Sequence, residues 1–185
     1  MSIKQELVRY YRWLRQYGYN DSHSGNASVR EGNTVWVTPT GACADTLVAK
    51  DLVRCDVNGT VGNHASLDAA LHLEVYRKNN TAHAVLHSHG AYSVALTLDG
   101  ETFHPVDFEG QYYFSEVPVL AIPYEDYVQQ SPNKVASILS RRPIVVVKGH
   151  GVYAWGPSLN LAYKWTCSLE QSAKTKFLAS LARTL

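Results

Sequence analysis

Ala84-Val85-Leu86-His87-Ser88-His89-Gly90 is an apolar run that ends in two histidines and a glycine. Side chains of a strand alternate between faces, so His87 and His89 share a face and can aim two imidazoles at one point. A second run, Ile144-Val145-Val146-Val147, leads through Lys148-Gly149 to His150-Gly151. Neighbouring strands lie about 4.8 Å apart, so a histidine at one strand end can join a pair at another. Three imidazoles with an open position are the ligand set of a catalytic zinc rather than a closed structural one. A His-x-His pair alone fits polar strand-end residues beside solvent equally well. The shared context in both places, strand end followed by glycine, favours the metal.

Outward from these strands the pattern alternates between helix and sheet. Leu7, Tyr10, Tyr11 and Leu14 recur at helical spacing and predict a helix over 3–17, ended by Gly18. Residues 27–30 and 34–37 predict a hairpin around Glu31-Gly32-Asn33. Asn58-Gly59 predicts a second hairpin, joining 53–57 to Thr60-Val61. Ser66 can cap a helix over about 67–78, with Asp68 in its first turn. A short helix is expected over 91–96, an edge strand over 117–122, and a helix over 134–140 that starts after Pro132. Val152 to Trp155 predicts a further strand. A long helix follows over 158–182, with Leu161, Trp165, Leu169, Ala173, Phe177 and Leu181 as its apolar stripe. Helices mixed with a largely antiparallel sheet define an α/β layered domain. With no repeat or linker in view, one domain is expected over 1–185.

Composition narrows the function classes. The formal net charge is +1, with no basic block, which argues against nucleic acid as a partner. No apolar run approaches the ~20 residues that span a bilayer, and the first residues lack a signal-peptide core. Cys43, Cys55 and Cys167 are odd in number and widely spaced, so they are expected to be reduced thiols of a cytoplasmic protein. Twelve tyrosines and four tryptophans fit either a subunit interface or an aromatic core.

A metal held by three neutral imidazoles keeps most of its charge and can polarise a carbonyl. Such a site needs a carboxylate as base or fourth ligand. Asp68 is the best candidate by position, although a helix N-terminus also favours an aspartate on its own account. Asp107, Glu109 and Glu116, in an aromatic loop before the Val117 strand, compete for the role. Ser24-Gly25-Asn26, Thr38-Pro39-Thr40-Gly41 and Ser66 combine small polar side chains with exposed backbone N–H groups, as an anion site would. Each alone is more often a turn or cap. His23, His64, His72, His83 and His104 lack such context and are expected to be surface or locally hydrogen-bonded residues.

The ordered set Ser24-Gly25-Asn26, Thr38-Pro39-Thr40-Gly41, Ser66-Leu67-Asp68, His87-Ser88-His89 and Lys148-Gly149-His150-Gly151 resembles the class II aldolase/adducin family, from about residue 5 to 180. The resemblance implies a three-layer α/β/α domain with a central, mainly antiparallel sheet. It also implies a homotetramer with sites at subunit interfaces. By position His87, His89 and His150 match the family's metal ligands. Asp68 matches its acidic base and ligand, and Gly25, Asn26, Thr40, Gly41 and Ser66 match its phosphate contacts. Three departures stand out. Asp68 replaces the aldolases' glutamate, Leu67 replaces the second serine of the phosphate pair, and Gln111 stands where the epimerases carry a catalytic aspartate. No tyrosine follows Tyr163, so the aldolases' tail tyrosine has no counterpart.

The expected function is that of a zinc-dependent lyase (another divalent transition metal would also serve). It would cleave or form the aldol bond of a small ketose, phosphorylated by the family pattern, through an enediolate. Tyr112, Tyr113 and Glu109 are the candidate proton-transfer groups beside Asp68. Dehydration, decarboxylation or 4-epimerisation on a similar sugar phosphate is the alternative, and a non-catalytic adducin-like module is the rival from another class.

Overall fold

A computed structural model of the chain describes residues 1–183. The last two residues of the expected 1–185 domain lie outside the described residues. Seven strands form one sheet: β1 (Asn26–Glu31), β2 (Thr34–Val37), β3 (Val53–Asp56), β4 (Ala84–Ser88), β5 (Val119–Leu120), β6 (Ile144–Val147) and β7 (Gly151–Gly156). Their order is β3-β2-β1-β4-β7-β6-β5. All pairs are antiparallel except β5 with β6. The histidine strand β4 is therefore central, with β7 at its side and His87 opposite Tyr153 in the register.

Helices cover both faces. On one, α2 (Ala69–Lys78) and α5 (Tyr127–Leu139) pack on Val85, Val145, Val147 and Tyr153. On the other lie α1 (Ile3–Gln16) and α6 (Leu159–Ala182), against Ala27, Val29, Ala84 and Leu86. The short α3 (Ala91–Ala95) and α4 (Phe108–Tyr113) join α6 there. This is the three-layer α/β/α domain expected from the sequence. Its central strands carry apolar residues on both faces: all four residues of β6 are buried. Full burial of each such side chain contributes about 1.5–3 kcal/mol.

Four local expectations are corrected. Asn58-Gly59 does turn the chain, with Gly59 N–H donating to Asp56 O at 3.2 Å, but Thr60-Val61 is not a strand. The edge of β3 is instead met by Gly62, whose N–H reaches Cys55 Sγ at 3.2 Å. α5 starts at Tyr127 and carries Pro132 inside it. Proline there sacrifices one hydrogen bond without ending the helix, because α5 packs against α2. The stretch 108–113 is α4 rather than loop, capped by Asp107, whose side chain accepts from Gly110 N. Finally, an i, i+4 stripe advances about 40° per step and winds round a long helix. The buried line of α6 is therefore Leu159, Ala162, Thr166, Leu169 and Ala173, and Leu181 is exposed. Cys43, Cys55 and Cys167 are free thiols. Among the described residues no helix is long and apolar enough to cross a membrane.

Candidate active site

His87 is the penultimate residue of β4 and His89 lies just past its end. His150 sits in the tight β6–β7 turn, which Gly149 enters at φ +68° and His150 N–H closes on Val147 O at 3.0 Å. His89 Nε2 and His150 Nε2 approach His87 Nε2 at 2.8 and 3.0 Å. Backbone contacts fix the rings' attachment. His87 Nδ1 lies 3.0 Å from Val152 O, which directs its Nδ1–H there and leaves the Nε2 lone pair facing the centre. The N–H of His89 is held by Tyr19 O at 2.8 Å and Asn20 Oδ1 at 2.9 Å.

Two glycines permit this convergence. A Cβ on Gly151 would stand 2.4 Å from Ser88 O, 2.6 Å from His89 Cδ2 and 3.0 Å from His87 Cε1. A Cβ on Gly25, at φ +66°, would stand 2.5 Å from His87 O. Gly151→Ala is therefore expected to push the two imidazoles apart, at a cost of about 1–3 kcal/mol of overpacking. A lower urea midpoint and a loss of bound metal would be measured. An unchanged midpoint with full metal content would show that the glycine is not required.

The donor chemistry fits a cation. Burial pushes His87 well below the ordinary imidazole range, against the pull of Asp68. Burial and the neighbouring His150 lower His89 to about 4. Burial lowers His150 as well. All three are neutral at pH 7, and neutral imidazoles whose Nε2 atoms gather within about 3 Å of His87 Nε2 are ready metal ligands. Among the described residues these three form the group able to hold a metal ion.

Asp68 lies immediately before α2 and makes no side-chain cap. Its carboxylate turns inward instead, 6% exposed. Oδ2 accepts from Asn26 Nδ2 and the Tyr153 hydroxyl, each at 2.8 Å, and Oδ1 accepts from the Tyr127 hydroxyl at 2.9 Å. Of the three histidines only His87 comes within ion-pair distance, Nε2 to Oδ2 3.8 Å. Burial alone would raise the Asp68 pKa. His87, the Asn26 amide, His72 and the Tyr153 hydroxyl together outweigh it and lower the value to about 2.

Backbone bonds gather the loops expected to bind an anion beside this centre. Ser66 N–H donates to Thr38 O at 3.0 Å and Thr40 N–H to His64 O at 2.9 Å. A cavity of about 240 Å³ is lined by Ser24, Gly25, Asn26, Thr40, Gly41 and Ser66, and by Asp68, His87, His89 and His150. A wider cavity, about 520 Å³, shares His89 and His150 and is lined further by Leu67, Ile122, Tyr124, Tyr127 and Lys148. Tyr127 and Leu67 line both.

The other candidates lie elsewhere in the chain. Glu109 and Tyr113 line a separate cavity with Tyr19 and Cys167, and Tyr112 is 77% exposed. Asp107 is the cap of α4, and Glu116 pairs with Arg142 at 2.9 Å. Three residues at the site carried no such reading. His23 lines the smaller cavity. Tyr127 and Tyr153 bind Asp68, and their hydroxyls also meet each other in a close contact. His72 is fully buried, with Nδ1 2.7 Å from Ser28 Oγ, as a locally bonded histidine.

A layered α/β/α domain with three converging imidazoles, a buried carboxylate and an adjoining loop-lined cavity has the parts of a metal-assisted enzyme. The chain belongs to the class II aldolase family: the family described as "Class II Aldolase and Adducin N-terminal domain" matches residues 5–177. It is 30% identical over 184 residues to an L-fuculose phosphate aldolase of Methanocaldococcus jannaschii, covering 97% of this chain and 98% of the relative. It is 34% identical over 187 residues to a 3-oxo-tetronate 4-phosphate decarboxylase of Haemophilus influenzae, covering 96% and 88%. The solved L-fuculose-1-phosphate aldolase of Thermus thermophilus superposes with a TM-score of 0.89 at 29% identity, covering 99% of this chain and 96% of that one.

Proposed function

We propose that this protein is a metal-dependent lyase that cleaves, or in reverse forms, the aldol bond of a small ketose phosphate. The observation that carries the reading is one cavity whose floor is three converging imidazoles and whose wall is the Ser24–Asn26, Thr40–Gly41 and Ser66 anion loop. His87, His89 and His150 would hold the ion, zinc by preference for a neutral imidazole set. When bound, the ion supplies Lewis acidity that polarises the substrate carbonyl. Gly25, Asn26, Thr40, Gly41 and Ser66 orient the phosphate. Asn26 Nδ2 uses one hydrogen on Asp68 and has a second to offer a substrate oxygen. Asp68 accepts and returns a proton, or helps hold the ion.

Exposed apolar residues support a homo-oligomer, a tetramer by family pattern, with the site near a subunit boundary. Leu67 and Tyr124 at the cavity rim are 66% and 96% exposed, and Phe108 and Tyr112 on α4 are 85% and 77% exposed. Such a boundary would let a neighbour's Tyr112, Tyr113 or Glu109 reach the cavity. Three free thiols support a reducing, cytoplasmic setting.

A second reading, decarboxylation, is favoured by the Haemophilus relative and by Lys148 in the wider cavity, where a substrate carboxylate would find a cation. The test is product mass from metal-reconstituted protein given short ketoses, their 1-phosphates and 3-oxo acid phosphates. Two carbonyl fragments from a ketose phosphate are expected. Carbon dioxide release would select the second reading. Loss of water, or a product of unchanged mass, would replace both with dehydration or epimerisation. No turnover of any of them would refute the lyase.

A further inference from the structure

Tyr153 touches three members of the centre at once, yet it is fully buried and lines neither cavity. Its ring lies flat on the His87 imidazole, 4.0 Å between centroids at an interplanar angle of 1°. Its hydroxyl donates to Asp68 Oδ2 and meets the Tyr127 hydroxyl. The side chain comes from β7 and Asp68 from the start of α2, so Tyr153 ties the helix-borne carboxylate to the sheet that carries the histidines.

A carboxylate offers about four lone-pair sites, two on each oxygen. Oδ2, the oxygen nearer His87, has both filled, by Asn26 and Tyr153. Oδ1 has one filled, by Tyr127. The remaining lone pair therefore lies on Oδ1, beside the one tyrosine of the pair that lines both cavities. To coordinate through Oδ2, Asp68 would have to give up a donor. The imidazole group accordingly closes without it, since neither His89 nor His150 is within ion-pair distance of the carboxylate among the described residues.

On the reading above, we propose that Tyr153 is a positioning residue whose hydroxyl holds Asp68 beside, and not within, the metal's ligand set. The carboxylate stays available for proton transfer through Oδ1, and a bound ion would be left to the three imidazoles and to substrate. Tyr153 thus separates the two roles that one aspartate could otherwise exchange.

Tyr153→Phe keeps the ring stacked on His87 and removes only the hydroxyl. The probe is cobalt(II) in place of the native ion, read by its visible absorption and by competition with a chelator. Three results are expected of the variant. The cobalt spectrum shifts as Asp68 swings onto the ion. Metal is held at least as tightly as in the parent. The kcat falls about 10–100-fold without a matching change in KM. A purely structural hydroxyl would lower thermal stability and leave spectrum and kcat alone, which overturns the proposal. So does a variant that binds metal more weakly with the parental spectrum. Tyr127→Phe, which leaves Oδ2 filled, is expected to keep the parental spectrum; a shift there equal to that of Tyr153→Phe also overturns it. A parent that binds no cobalt overturns the lyase reading itself, and this proposal with it.

Discussion

His150→Ala is expected to release the bound ion and lower kcat/KM by at least about 10²–10³-fold, the equivalent of about 3–4 kcal/mol of lost charge stabilisation. His150 is the suitable ligand to remove. It is half-buried in the β6–β7 turn, whereas His87 is buried in the central strand beneath Tyr153. Its ring packs on Tyr127 at 4.6 Å and meets the edge of Tyr153 at 6.3 Å, but His150 is not itself a member of a core cluster, so the variant should fold. Two imidazoles remain, and one of them, His87, still meets His89 at 2.8 Å. A pair leaves two positions of a tetrahedral ion to water and binds it far more weakly than a triad. Metal content by elemental analysis, circular dichroism and aldol cleavage would be measured together. A folded variant with full metal content and parental cleavage would remove His150 from the centre.

The parts of this site that were legible in the sequence are those that a period or an order reveals. His87 and His89 are two apart on a strand, so their common face follows from the pleat alone. His150 was legible through the apolar run before it and the glycine after it, and Gly151 proves to be where a side chain would strike both other rings. Asp68 was legible by its position at a helix start, but its hydrogen-bond partners were not. A helix-start aspartate usually caps, and this one leaves the helix uncapped and turns to three donors. Tyr153 carried no signal, because inside Val152-Tyr153-Ala154 it reads as another buried strand residue and its hydroxyl partner comes from a distant helix. Tyr127 was hidden by Pro132, which reads as a helix start and displaces the true one several residues too late. α4 was hidden because Phe108 and Tyr112 face outward, which removes the amphipathic period from a short helix.

Asp68→Asn is expected to keep the ion and lose about 10²–10⁴-fold in kcat, the usual share of a positioned acid or base. The amide is nearly isosteric. Its oxygen can take the donors of Asn26 and Tyr153, and its NH2 can face the Tyr127 oxygen once that hydroxyl turns its proton away. The charge and the proton acceptor are lost, and the three imidazoles are untouched. Asp68→Glu restores the acceptor with one extra methylene in a site that is 6% exposed, so partial activity should return at a packing cost of about 1–3 kcal/mol. The pH dependence separates chemistry from packing. Because the folded-state pKa of Asp68 is lowered from 3.8 to about 2, the parent holds this group's stabilisation in full above about pH 4. It loses that stabilisation as the pH falls toward 2. Urea unfolding of Asp68→Asn should lack this acid-side decline while its kcat is low at every pH. Parental kcat with metal bound would move proton transfer to another group, and a metal-free Asp68→Asn would make the carboxylate a ligand after all.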